Sequence, residues 1–131
     1  MPVTGVDTNI LVRLLTRDDE GQFQKAFALF NKDTVFIPDT VMLETEWVLR
    51  FAYSFTFNKI CDAFAKLLSL PNVKTKNPDN LFLAIEWTRK GLDFADALHL
   101  ACSKDSENFA TFDSDFIRRS KGLSKCVVKK P

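Results

Sequence analysis

Glycine is scarce in this chain of 131 residues, four in all, and none belongs to a Gly-rich loop of the kind that cradles phosphates. Histidine occurs once, as His99, with no nucleophile-elbow motif to serve, so serine or cysteine nucleophile chemistry has little support. The three cysteines, Cys61, Cys102 and Cys126, are odd in number and widely spaced. That pattern speaks against a disulfide framework and a cysteine–histidine zinc site, and favours buried reduced thiols. No apolar run approaches membrane-spanning length. The sequence passes from Met1-Pro2 straight into Val3-Thr4-Gly5-Val6, without the basic and apolar regions of a secretory leader. The expectation is a cytoplasmic protein with no membrane partner. A formal charge of +1 excludes a simple polycation, although Arg118, Arg119, Lys121, Lys125, Lys129 and Lys130 gather in an acid-free tail that could meet phosphates. A solvated terminal face would explain the same charges.

What is present is the balance of a globular domain, 46% hydrophobic and 27% charged. The length suits a single domain over residues 1–131, with no linker or repeat. Short β-like runs alternate with longer helical ones, the sequence form of an α/β domain with a mostly parallel sheet. About five short strands are expected, at Val3–Asp7, Thr34–Ile37, Asn72–Thr75, Asn108–Phe112 and Lys125–Val128. Ile10, Leu11, Leu14 and Leu15 share one helical face, as do Ile60, Phe64, Leu67 and Leu68. Asn77-Pro78 reads as N-cap and first helical residue, with Gly91 as the stop. The alternating stretch from Phe51 to Phe57 is read as a helix–helix junction. Thirteen phenylalanines fall mostly on helical stripes, where core packing is the expected use.

Ligands of open parallel sheets bind beyond the carboxyl ends of the strands, so acids placed there come first. Asp7 closes the first strand, and Thr8 or Asn9 could cap the following helix, leaving Asp7 free. Asp113 follows Ala110-Thr111-Phe112. For each of these two acids a helix N-cap is an equal alternative. Glu44, on a helix from Val41, has Val41, Val48 and Phe51 at i−3, i+4 and i+7, so it is expected on an apolar, desolvated face without a basic partner. Glu46 has Arg50 at i+4 and reads as an ordinary exposed ion pair. Asp93 is the natural cap of the helix after Gly91-Leu92, which leaves Asp96 in its first turn. His99 is kept out of the metal set. Four acids at four element boundaries point to an oxygen-lined site for a hard cation, Mg2+ or Mn2+.

Four ordered segments then become recognisable: Val6-Asp7-Thr8-Asn9-Ile10-Leu11-Val12-Arg13, Met42-Leu43-Glu44-Thr45-Glu46-Trp47-Val48-Leu49-Arg50, Asp93-Phe94-Ala95-Asp96-Ala97-Leu98-His99-Leu100-Ala101 and Ala110-Thr111-Phe112-Asp113-Ser114-Asp115-Phe116. Together they resemble the motifs of PIN domains, especially the VapC-type toxins of toxin–antitoxin pairs. The resemblance implies a three-layer α/β/α fold, divalent-metal endoribonuclease activity leaving a 3′-hydroxyl and a 5′-phosphate, homodimerisation, and inhibition by a cognate antitoxin protein. It places the acidic site on Asp7, Glu44, Asp96 and Asp113, with Asp115 as a less certain fifth acid. Thr8, Asn9 and Thr111 match positions near that site and would orient ligands or water. Arg13, Arg118 and Arg119 are candidate contacts for RNA phosphates.

Three rivals follow from the same residues. A receiver-like Mg2+-binding signalling domain needs an acidic pair after the first strand, which Asp7-Thr8-Asn9 lacks. An aspartate-nucleophile phosphatase needs a second aspartate two residues on, also missing. A catalytically silent PIN-fold binding module would be favoured by loss of site acids, and all four are present.

Overall fold

The computed structural model describes residues 2–131, which fall into two compact units divided after Pro78. The first contains β1 (Val3–Gly5), α1 (Thr8–Thr16), α2 (Glu20–Lys32), β2 (Thr34–Phe36), α3 (Asp39–Ala52), α4 (Phe57–Leu68) and β3 (Val73–Lys74). From Pro78 the chain continues through α5 (Pro78–Arg89), α6 (Phe94–Cys102), β4 (Asn108–Ala110), α7 (Ser114–Ser120) and β5 (Val127–Lys129). All five expected strands are present, each of two or three residues.

In the first unit the order is β1-β2-β3, with parallel neighbours in the registers Val3↔Thr34 and Val35↔Val73. Parallel neighbours require crossovers, and here two helices fill each one. Val35 and Ile37 are fully buried among Leu11, Met42, Leu49, Ile60 and Phe64, so this sheet carries an apolar core on short strands. Asn72 donates its amide to the carbonyls of Phe30 and Asp33, tying the end of α2 to the approach to β3. The second unit pairs β4 with β5, also in parallel, and buries Leu81, Ala84, Phe94, Leu98 and Leu100. The fifth strand starts later than expected because Ser124 Oγ accepts from Cys126 N at 3.1 Å and holds a turn there; pairing begins where Val127 N donates to Glu107 O at 2.9 Å.

The helix boundaries have local causes. Thr56 caps α4 through a hydrogen bond from Lys59 N, and Ser54 takes a left-handed conformation (φ 56°), so Tyr53–Thr56 is the expected junction between two helices. Gly91, at φ 110°, ends the α5 segment in a conformation that a side chain would strain. None of the three cysteines forms a disulfide; Cys61 and Cys126 are buried as expected, whereas Cys102 is exposed.

The helix α3 departs from the expectation in a way that matters for the site. Its buried stripe is Met42, Thr45, Glu46 and Leu49, not the more apolar stripe through Val41, Val48 and Phe51. Glu46 is therefore inside, 2% exposed, and Glu44 is outside. Arg50 meets the buried carboxylate with two bonds, Nε to Oε2 at 2.7 Å and Nη2 to Oε1 at 3.1 Å. A guanidinium matches a carboxylate in two parallel bonds, which is why a charge can be tolerated at this depth. Removal of the cation should be costly because it strands a buried anion. Arg50→Ala is expected to lower unfolding stability by about 2–4 kcal/mol, the range for a broken buried pair reduced for the partial exposure of Arg50. Urea unfolding measures this, and a loss below about 0.5 kcal/mol would show that the pair carries little of the stability.

Candidate active site

The first group of site residues forms where β1 passes into α1. Asp7 stands in extended backbone (φ −97°, ψ 179°) as the N-cap of α1, its Oδ1 accepting from Ile10 N at 3.2 Å. This corrects the expectation that Thr8 or Asn9 would cap: the extended residue is Asp7, and Thr8 is already helical. Thr8 is buried and donates its hydroxyl to Glu44 Oε1. One short bond thus ties the start of α1 to α3. Asp7, Thr8, Asn9, Glu44, Trp47 and Val48 line one cavity of about 330 Å³. The Glu44 carboxylate is exposed at this cavity rather than desolvated, so its partner is a hydroxyl, and the expected burial belongs to Glu46.

The second group lies entirely beyond Pro78. Asp93 caps α6 through bonds from Ala95 N at 3.0 Å and Asp96 N at 3.4 Å, leaving Asp96 out of the cap as expected. Asp113 caps α7, its Oδ1 accepting from Asp115 N at 2.9 Å and Phe116 N at 3.1 Å. Thr111 fixes the approach, since its Oγ1 accepts from Asp113 N at 3.1 Å. Asp93, Asp96, Asp113 and Asp115 share a cavity of about 290 Å³ with Leu92, Phe116 and Arg119. Burial first, and then the charges of Asp93 and Asp113, push the Asp96 carboxyl above its ordinary pKa, while His99 opposes weakly. The sequence reading assigned Asp93 to capping alone; its lining of this cavity could have been anticipated from its spacing of three residues before Asp96.

The basic candidates differ in how they are held. Arg13 is engaged by Gln22 Oε1 at 2.6 Å, Asp18 Oδ1 at 3.1 Å and the Tyr53 hydroxyl at 3.2 Å, so a phosphate would compete with Asp18 for it. Arg118 pairs with Asp115 at 2.9 Å on the exposed side of α7, and Arg119 reaches the acidic cavity.

The donor set is all oxygen, and in the second unit the charges of Asp93 and Asp113 add to burial in raising the Asp96 carboxyl. Both properties suit a hard divalent cation. Among the described residues, however, no three His, Cys, Asp or Glu side chains are grouped as a metal-holding cluster. Asp7 comes together with Glu44, and Asp96 with Asp113 and Asp115; these sets belong to different units.

The sequence model of the PIN domain matches residues 5–122, and thus spans both acidic groups. The chain belongs to the PIN-domain family. With the family comes the three-layer α/β/α class expected from the sequence. A solved structure, that of VapC20 from Mycobacterium tuberculosis, described as a toxin cleaving the sarcin–ricin loop, is similar at 22% identity, covering 99% of this chain and 100% of that one with a TM-score of 0.45. No curated protein matches the chain. No helix among the described residues of this PIN domain is long and apolar enough to cross a membrane.

The Asp96 environment has a measurable consequence without any metal. A carboxyl whose folded pKa is raised costs stability once pH exceeds its unfolded value, and the full cost is reached above the folded pKa. In EDTA, Asp96→Asn should match the wild type at acid pH and exceed its Tm at neutral pH by on the order of 2 °C. Thermal unfolding across pH tests this, and a variant less stable at pH 7 would contradict it.

Proposed function

We propose that this PIN domain is a divalent-metal-dependent endoribonuclease, the toxin of a toxin–antitoxin pair, and that its two units act together as one domain. The observation that carries the reading is the placement of the four motif acids. Asp7 and Glu44 line one cavity, and Asp96 and Asp113 line another where carboxylates crowd with no lysine or arginine paired to Asp96 among the described residues.

In this reading Asp7, Glu44, Asp96 and Asp113 hold Mg2+ or Mn2+, with Asp115 as an additional ligand. Such an ion, when bound, would lower the pKa of a water and offset charge on a scissile phosphate. The chain's own residues then do the positioning. Backbone N–H groups of α1 and α7 fix the carboxylates of Asp7 and Asp113, so that neither must be ordered when substrate arrives. Thr8 orients Glu44, Thr111 sets the entry to Asp113, and Asn9 is placed to bind water or a phosphate oxygen at the first cavity. Arg119, and Arg118 once released from Asp115, would draw RNA phosphates, with Arg13 in a lesser role. A cognate antitoxin protein, a homodimeric state and a cytoplasmic location complete the proposal.

Incubation of the purified chain with structured RNA and Mg2+ or Mn2+, with and without chelator and free of co-purifying antitoxin, tests it. Cleavage is expected only with the metal, and Asp7→Asn or Asp96→Asn, each verified as folded, should reduce it by about 100-fold or more. Metal binding without cleavage of several RNA classes would instead favour a binding module. Absence of metal binding would end the four-carboxylate reading. The basic contacts carry a separate signature: affinity for RNA in EDTA should fall steeply with salt, and Arg118→Ala combined with Arg119→Ala should flatten that slope by about two units at most.

A further inference from the structure

Arg119 is the only basic side chain among the described residues that line the cavity of Asp93, Asp96, Asp113 and Asp115. Its setting differs from that of its neighbour on α7. Arg118, three positions after Asp115, is held by that carboxylate at 2.9 Å. Arg119 stands four positions after Asp115 and could form the same kind of helical pair. Among the described residues it nevertheless forms no ion pair with any of the four aspartates. Nor is its charge among those that act on Asp96, which are Asp93, Asp113 and His99. Phe116, three positions earlier, is buried and lines the same cavity, so Arg119 shares its face of α7. A guanidinium therefore stands at an acidic cavity without being engaged by its acids.

From this placement we propose that Arg119 couples the cation to the RNA. It opposes a divalent ion at Asp96, Asp113 and Asp115 while the cavity is free of RNA, and it takes a phosphate once RNA is bound, so that substrate raises metal affinity. The inference rests on the ribonuclease reading of the site and adds the regulation of its metal. In a cavity of about 290 Å³ the guanidinium and a divalent ion lie within roughly 10 Å of each other, where like charges repel measurably even at the dielectric constant of water. A phosphate reverses the sign of that interaction. It is attracted by both cations, and a guanidinium receives it in two parallel bonds. Coupling between two ligands is reciprocal, so what the RNA gains from the metal the metal gains from the RNA. A guanidinium already locked to a carboxylate, as Arg118 is to Asp115, must first be released before it can act in this way.

The test begins without RNA. Mn2+ is titrated calorimetrically into the metal-free chain at low salt, for the wild type, Arg119→Met and Arg119→Lys. Arg119→Met is expected to bind Mn2+ about 3- to 10-fold more tightly, and Arg119→Lys, which keeps the charge, to bind it as the wild type does. Cleavage should move the other way, with kcat/KM at saturating Mn2+ lower by about 10- to 100-fold in Arg119→Met. In the wild type the half-saturating Mn2+ for cleavage should fall as RNA concentration rises, and in Arg119→Met it should fall less. Arg119 is exposed, and Arg119→Gln replaces Arg119→Met if the latter does not fold. Mn2+ affinity that is unchanged or weaker in the folded variant overturns the proposal. So does tighter Mn2+ binding with undiminished cleavage, or an equal effect of RNA on the Mn2+ requirement of both proteins. Each of these results leaves the nuclease reading standing, since the wild type still binds metal and cleaves. A wild type that binds no Mn2+ or cuts no RNA defeats that reading, and this inference with it.

Discussion

Peptide N–H groups at helix N-termini hold three of the aspartates in the acidic cavities, and much of the site's form follows from that constraint. Asp7, Asp93 and Asp113 each stand in extended backbone where a helix begins, and each accepts one or two backbone N–H groups of the first turn. The first helical turn has donors with no partner inside the helix, and its dipole favours negative charge. An aspartate there is fixed by the chain's geometry instead of by a matching cation. Capping and ligand binding are therefore not exclusive uses of one residue: a carboxylate can spend one oxygen on the cap and present the other outward.

The helix α3 shows how packing divides apparently similar acids. Glu44 and Glu46 are two residues apart and so point to different sides. The inner side carries Glu46 with Thr45, Met42 and Leu49, and Arg50 neutralises the buried charge. The outer side, although richer in apolar residues, carries Glu44, Trp47 and Phe51 into solvent. Apolar surface left outside while a carboxylate is drawn inside is the reverse of what burial alone would select, and it leaves Glu44 with the Thr8 hydroxyl as its bond.

Strands, helix order and the Tyr53–Thr56 junction were legible because periodicity and capping residues act locally. The strand Thr34–Phe36 was bounded by a helix end and a proline, and Asn77-Pro78 with Gly91 framed the next helix. The candidate acids were picked out as motif positions. Their environments were not, since the side of α3 that faces inward depends on α1 and α4, which no window of α3 residues reports. The cap of α1 was misplaced for a related reason: Asp7, Thr8 and Asn9 are all competent caps, and the choice was made by where β1 releases the chain and by the pull of Glu44 on the Thr8 hydroxyl. Arg13 was read only as a phosphate contact; it is held by Asp18 and Gln22, nearby in sequence, and by Tyr53, 40 positions away.

That last contact gives the first unit a mechanical property. Arg13 near the end of α1, Asp18 in the following turn and Tyr53 at the end of α3 form a clasp, in which the tyrosine hydroxyl donates to the Asp18 carboxylate and accepts from the guanidinium. The acids Asp7 and Glu44 lie towards the opposite ends of the same two helices, where Thr8 makes the only other side-chain tie described between them. Two such ties along their length oppose a scissoring of α1 against α3. The separation of Asp7 and Glu44 is thus set partly by leverage from a clasp roughly 9–14 Å along the helices, at 1.5 Å per residue, and a side chain outside the lining of the acidic cavity becomes part of its calibration.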